Sequence, residues 1–589
     1  MKQSFRQNYL PYVRSVYDIS RFQICNGMII WAMSFLLRQI AMILIRSTGR
    51  VAISTGDFSF LFTTWQGPLL LFIGLSVLFV YLAFDLNSMI IFSDGILKGE
   101  PKLFESLKQG FLSIRKFFTP DGIGIVMYIA LVAPIIGFGF TISLTDSLYL
   151  PNFISSVIDS TPLYSIIYHV LTIIFILLGI IHIFILHGIL LGNLPSYKAD
   201  DQSRKIMKDN YKDFFKNNLY FLLRAMAVCA GIVVIFGLIP GIIATMFVSD
   251  ELRLKTTGYF ILFTMLFAML VSTSYFHSFY MLDITRLYYR YTGKDDSFRP
   301  AKTKRFVLLR LVFIAGVLAG LYWAAFFVST QFDQVFTTKV TTGIIAHRAG
   351  GTEAPENTVA GIEKAIALGA YGAEIDIQRT KDGYYIINHD GNFTRLCSNK
   401  ARPEELTLDE VKDLVIRDPL FPDQEEDVAT FEEMLDASKD RIVLFVELKG
   451  NTADQQMGDD AVRMIKERGM EKQCVLISLK YSLIDYIERN YPEMETAYLT
   501  FASFGDTAKL NCDYLGLEEE ACNSNTIDAI HDSGRKVLVW TPNSVSSQRK
   551  FLNSKADYII TDNISQANEQ IKSLNERQDY EVILDWIFN

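Results

Sequence analysis

Apolar residues run in long, nearly uninterrupted blocks through the first half of the chain, and the blocks stop abruptly around Gln331 to Thr342. A helix needs roughly 20 mostly apolar residues to cross a hydrocarbon layer about 30 Å thick, because each residue rises about 1.5 Å. Seven windows meet that length, at about 23–45, 69–93, 122–145, 163–192, 219–248, 258–284 and 306–328. The second contains Asp85 and Asn87, so its ends are the least sharply drawn. The first lies too far from any small-residue cleavage signal to be a removable leader and is expected to be retained.

Beyond about residue 335 the period shortens. Eight stretches read as strands: "GIIAHRA", "GAEIDIQ", "RIVLFVELK", "CVLISLK", "ETAYLTF", "YLGLEEE", "KVLVWTPN" and "ADYIITDN". Amphipathic helical stretches such as "NTVAGIEKAIALG" and "GDDAVRMIKERG" separate most of them. Strands alternating with helices over about 250 residues predict a closed (β/α)8 barrel. The expected fold is an α-helical membrane domain of about seven transmembrane helices over 1–335, followed by an α/β TIM barrel over 336–589. No G-x-G-x-x-G or Walker loop follows the first strand, which lowers the case for a nucleotide site.

Composition sharpens this division. At 589 residues and 50% hydrophobic, the chain exceeds one ordinary core and is too apolar on average for a purely soluble protein. Its net charge of −8 argues against a nucleic-acid partner. Basic residues gather in alternate loops: Lys2, Arg6, Arg14 and Arg21 in the N-terminal arm, then Lys98 to Lys116, Lys198 to Lys216, and "RLYYRYTGKDDSFRPAKTKR". The positive-inside rule puts the N-terminus in the cytoplasm, and an odd number of crossings puts the barrel on the extracytoplasmic face.

Chemistry collects at the strand ends. His347 and Arg348 end the first strand, and Glu374 and Asp376 lie two apart on the second, so both carboxylates point to one side. Glu447 and Lys449 share a face of the third, and "YYIINHD" brings in His389 after a turn. Three carboxylates with no cysteine or histidine at metal-ligand spacing favour one hard divalent cation, Ca²⁺ or Mg²⁺. Two histidines beside it suit acid and base roles at phosphorus, with Arg348 and Lys449 contacting the phosphate. Trp540 ends the seventh strand, where its ring either stacks on substrate carbons or fills the barrel.

The string H-R-x-G…P-E-N-T…E-x-D…T-x-D-G…H-D, followed by E-L-K, resembles the glycerophosphodiester phosphodiesterase family from about 342 to 570. The resemblance implies a metal-dependent barrel that splits glycerophosphodiesters into an alcohol and glycerol phosphate. It makes His347 and His389 the acid/base pair, Glu374, Asp376 and Glu447 the metal ligands, and Arg348 and Lys449 phosphate contacts. In the family the glycerol hydroxyl next to the phosphate can attack first, giving a cyclic intermediate. Residues of about 391–430 resemble the small insertion of these enzymes and favour a glycerol-containing substrate. Ala349 stands where the family usually has glycine, and "NFTRLCSN" lacks the usual Arg-Thr-Thr. The many-helix half resembles membrane-bound members.

Expected partners are the lipid bilayer and a glycerophosphodiester or lipid-linked glycerol-phosphate substrate, including lysophospholipids and polyglycerol-phosphate polymers of an envelope. The rival reading is a transporter or receptor whose barrel serves as a binding module. Pro355, Glu356 and Asn357 are expected to shape their loop, His531 to cap a helix, and His169, His182, His187 and His277 to bond between helices or mark a headgroup site. Cys512 and Cys522 are the one cysteine pair close enough in sequence to consider for a disulfide.

Overall fold

A computed structural model describes residues 10–50, 52–54, 60–119, 158, 161–246, 250–296, 307–336, 339–501 and 503–588. Among them are six helices long and apolar enough to span a bilayer: Ser15–Arg46, Gln66–Lys98, Pro162–Leu190, Ser196–Leu238, Glu251–Tyr291 and Leu311–Val335. They correspond to six of the seven hydropathy windows; the window at 122–145 lies outside the described residues. Several helices outrun their windows, because hydropathy detects only the apolar middle while the helix continues through polar turns.

Asp85 does not interrupt the second span. Asn26 of the first helix donates to its Oδ1 at 2.5 Å, and Asn87 donates to the Gly110 carbonyl at 3.3 Å. Polar groups inside an apolar bundle persist when they bond to one another. The histidines behave similarly: buried His187 bonds to Thr285 and His182 pairs with Asp200. Arg38, in contrast, is exposed on its helix.

The chain forms two compact units, one built on the long apolar helices and one containing Phe336–Asn589 together with Ala41–Pro68. In the second unit eight parallel strands close on themselves. We label them β1 (Gly343–Ala346), β2 (Gly372–Arg379), β3 (Val443–Leu448), β4 (Cys474–Ser478), β5 (Glu495–Thr500), β6 (Tyr514–Glu518), β7 (Lys536–Trp540) and β8 (Tyr558–Thr561). Each pairs with the next, and β8 pairs back onto β1, Ile560 opposite Ile345. All eight strands expected from the alternating pattern are present. A short strand, Tyr385–Ile387, adds antiparallel to β2 and carries the chain toward His389.

Period-two alternation sorts the strand residues. Ile345, Phe445, Ile477, Leu538 and Ile560 fill the barrel interior, while Ile344, Ile375, Val446 and Val539 meet the surrounding helices. Phe445 is fully buried, its ring edge-on to Tyr514 at 6.2 Å. Phe445→Ala is expected to destabilise the barrel by about 3–5 kcal/mol, from lost burial plus a residual cavity, read as a lowered melting temperature of the purified protein.

The insertion folds around its own small core of Phe393, Leu396, Val411, Ile416 and Val428. The C-terminal stretch is a helix, Asp579–Phe588, with Val582 and Ile583 buried and Asp585 paired to Arg549 and Arg577. All six cysteines are free thiols, so Cys512 and Cys522 form no disulfide; both are buried. His531 ends its helix, but its ring is paired to Asp557 at 2.9 Å.

Candidate active site

His347, Arg348, Glu374, Asp376, His389, Glu447, Lys449 and Trp540 stand at the C-terminal ends of β1, β2, β3 and β7 or in the loops that follow. That end is where the loops of a parallel barrel converge. Glu374, Asp376 and Glu447 are all buried, each offering an oxygen within 4.8 Å of the others. The register explains it: Asp376 on β2 lies directly opposite Glu447 on β3, and Glu374 precedes Asp376 by one inward-facing position.

Lys449 closes the cluster, its Nζ donating to Asp376 Oδ1 at 2.9 Å and to Glu447 Oε2 at 3.0 Å. Burial works against the charge of Asp376, but Lys449, His389 and Arg348 outweigh it and hold the carboxyl well below its usual range. Glu374 goes the other way: burial, then the neighbouring Asp376, push it up to about 8. Its Oε2 accepts from the Arg348 backbone amide at 2.7 Å, whereas its Oε1 is buried with no hydrogen-bond partner among the described residues. A buried carboxylate oxygen without a donor, beside two further carboxylates, fits a hard cation.

The two histidines differ in their partners. Nδ1 of His347 donates to Asp562 Oδ1 at 2.6 Å; a carboxylate can only accept. Burial opposes charge on this imidazole, but Asp562 more than offsets it, so its pKa is raised above the ordinary histidine value. Burial likewise opposes charge on Asp562, yet His347 and Arg348 bring it down to about 2. His389 donates from Nδ1 to Asp390 at 2.9 Å and accepts at Nε2 from Arg348 Nη2 at 2.9 Å. Its Nε2 therefore carries a lone pair in this arrangement.

Arg348 occupies a left-handed backbone conformation at φ 49°, followed by Ala349 at 59°. That succession folds the loop under the site, and Ala349 is fully buried there. Gly351, at φ 54°, has no room for a side chain, since a Cβ would meet the Asp562 carbonyl at 2.3 Å. Arg348 bonds Glu356 at 3.1 Å through Nη1, while its Nε is buried with no hydrogen-bond partner among the described residues.

The Pro-Glu-Asn loop braces these groups. Asn357 donates to Asp376 Oδ2 at 2.8 Å, and Glu356 is gripped at both oxygens by Arg395, at 2.5 and 2.9 Å. Trp540 is part-buried at the end of β7, among the residues that fill the barrel interior. Asp562, the Asn543 side chain that donates to its Oδ2 at 2.5 Å, Asp390 and Arg395 have no role assigned from the sequence. Asp562 had a legible signal, as the first polar residue after the apolar β8 strand. Arg395 had none, because its partners are set by the folding of the insertion.

Residues 347–566 match the glycerophosphoryl diester phosphodiesterase family, and residues 2–340 match the membrane domain of glycerophosphoryl diester phosphodiesterase. The Bacillus subtilis protein YhdW is 26% identical over 229 residues, covering 37% of this chain and 93% of its own. A glycerophosphodiester phosphodiesterase of Caldanaerobacter subterraneus is 25% identical over 233 residues, covering 37% of this chain and 93% of its own. An Oleispira antarctica phosphodiesterase, solved with the product sn-glycerol-3-phosphate, aligns with 39% of this chain and 97% of its own at 23% identity and a TM-score of 0.37. With both halves matched, the chain belongs to the glycerophosphoryl diester phosphodiesterase family, as a membrane enzyme that hydrolyses glycerophosphodiesters.

Proposed function

We propose that this enzyme cleaves glycerophosphodiesters with His389 as general base and His347 as general acid, and that it requires one divalent cation, Ca²⁺ or Mg²⁺, held by Glu374, Asp376 and Glu447. The observation that carries the reading is a pair of orphaned buried atoms, Glu374 Oε1 and Arg348 Nε, flanked by two carboxylate-backed histidines. The first is an acceptor that suits a cation and the second a donor that suits an anion. A bound ion would supply Lewis-acid polarisation of a phosphate oxygen.

The chain's own groups do the rest. Arg348 and Lys449 neutralise the phosphate, Arg348 exchanging His389 for a phosphate oxygen as substrate enters. That exchange frees the His389 Nε2 lone pair to take the proton of the attacking oxygen, either water or the neighbouring glycerol hydroxyl. A new P–O bond forms as the ester P–O bond breaks, and protonated His347 delivers its Nε2 proton to the departing alcohol oxygen. Asp562 keeps His347 charged for that step, and Asp390 holds the His389 tautomer. Trp540 offers a face for the glycerol carbons.

The substrate class includes lysophospholipids and polyglycerol-phosphate polymers, and the barrel works on the extracytoplasmic face. The basic-loop pattern supports that sidedness. Purified full-length protein with Ca²⁺ or Mg²⁺ is expected to release glycerol phosphate from a panel of glycerophosphodiesters; no release from any member overturns the reaction. A C-terminal tag is expected to be accessible in intact cells, and protection of the tag until the membrane is broken overturns the sidedness.

A further inference from the structure

One segment of the amino-terminal half belongs to the catalytic unit. Ala52–Ser54, between the first two membrane helices, pairs antiparallel with Ser503–Gly505, Ile53 opposite Phe504. Ser503–Gly505 follows β5 directly, so it lies in a loop at the same end of the barrel as His347, Asp376 and Trp540. Ala52 is buried and joins the hydrophobic cluster of the barrel. Arg46, at the end of the first span, pairs with Asp506 at 2.8 Å, and Lys509 bonds the same carboxylate at 3.0 Å. Ladder and ion pair join the segment Ala41–Pro68 to one loop at the mouth, and the buried methyl joins it to the barrel's hydrophobic cluster.

We propose that this segment is a positioning element of the mouth: it holds the β5–β6 loop and favours glycerophosphodiesters whose glycerol carries an acyl chain anchored in the bilayer surface. This rests on the reading of the mouth as the place of catalysis. The argument for a lipid-borne substrate is one of reach and chemistry. Ala52 lies six positions after Arg46, a distance of at most about 20 Å when extended. Arg46, the last residue of the first span, is therefore within that reach of the rim. The same segment exposes Phe62 and Trp65, immediately before the second span begins at Gln66. Aromatic rings at a span end settle at the headgroup level.

The pairing also bears on sidedness. A loop and a barrel that share a ladder lie on one side of the membrane, so an even number of crossings must separate Arg46 from Phe336. Of the six described spans, five follow Arg46. Together with the apolar window read from the sequence at 122–145 they make six, which agrees with the parity drawn from the basic loops.

Two experiments on the full-length protein in vesicles test this. With Ala52–Ser54 replaced by three glycines, hydrolysis of a vesicle-borne lysophospholipid is expected to fall at least about fivefold relative to hydrolysis of glycerophosphoethanolamine in solution. An unchanged ratio, or an equal fall on both substrates, overturns the proposal. In the second, Ile53→Cys with Phe504→Cys is oxidised in a chain cut by a site-specific protease at a site inserted after Thr338. Facing positions of an antiparallel pair are within disulfide reach, so the fragments are expected to stay joined until reduced. Separation, as in the single-cysteine controls, overturns the pairing. The joining needs no activity, so a protein that hydrolyses neither substrate would defeat the reaction reading while leaving the pairing to be judged by itself.

Discussion

His347→Ala is expected to lower kcat by about 10²–10⁴ or more, because the departing alcohol oxygen loses its proton donor. His389→Ala is expected to fall as far, since the attacking oxygen loses its base. Full activity in either variant, assayed as glycerol phosphate release with folding checked by circular dichroism, overturns the assigned roles. Asp562→Asn separates the donor from its support. Asp562 raises His347, and the acid acts protonated, so the alkaline limb of kcat/KM in the wild type stands above the ordinary histidine value. Removing the carboxylate is expected to move that limb to lower pH while glycerophosphodiester affinity changes little. A limb that stays in place is evidence against His347 as the acid.

The same pair sets a window for stability. Asp562 is depressed to about 2, so its contribution is full above its unfolded value and is lost as pH falls toward 2. His347 is raised, so its contribution is full below its unfolded value and is lost as pH rises through the raised one. Melting temperatures of the wild type and Asp562→Asn are expected to differ most between those limits and to converge as pH falls toward 2, where Asp562 becomes protonated.

Chelation is expected to abolish activity, and either Ca²⁺ or Mg²⁺ to restore it. Glu374→Gln removes a carboxylate whose Oε1 has no hydrogen-bond partner among the described residues and is expected to weaken cation binding by about 100-fold. A second readout is independent of turnover. A cation at 100 times its Kd stabilises the folded state by about 2.7 kcal/mol, which appears as an upward shift in melting temperature. That shift should be present in the wild type and absent in Glu374→Gln, and a wild-type melting temperature that ignores both ions defeats the cation assignment.

Much of this site was legible before the fold was known, for a local reason. Strand side chains alternate, so Glu374 with Asp376 and Glu447 with Lys449 are bound to share a face whatever the strands pair with. The eight strands and six described spans were legible because each is marked by its own run of residues, alternating over a few positions for a strand and apolar over roughly 20 for a span. Asp85 shows where that reading loosens, because only the neighbouring helix reveals that Asn26 satisfies it. Arg395 shows where it ends: nothing near "NFTRLCSN" announces a two-pronged grip on Glu356.

The sequence by itself determined the division into an apolar helical half and a barrel half, the order of the strands, and the residue types that could meet at their ends. Only the tertiary structure decided which acid stands behind each histidine, since His347 and Asp562 lie 215 residues apart and meet because β8 closes against β1. It alone decided that Ala52 joins the mouth, because a backbone ladder depends on edge geometry and leaves no mark in composition. Local patterns fix what each segment is, and closure of the sheet fixes which distant segments become neighbours.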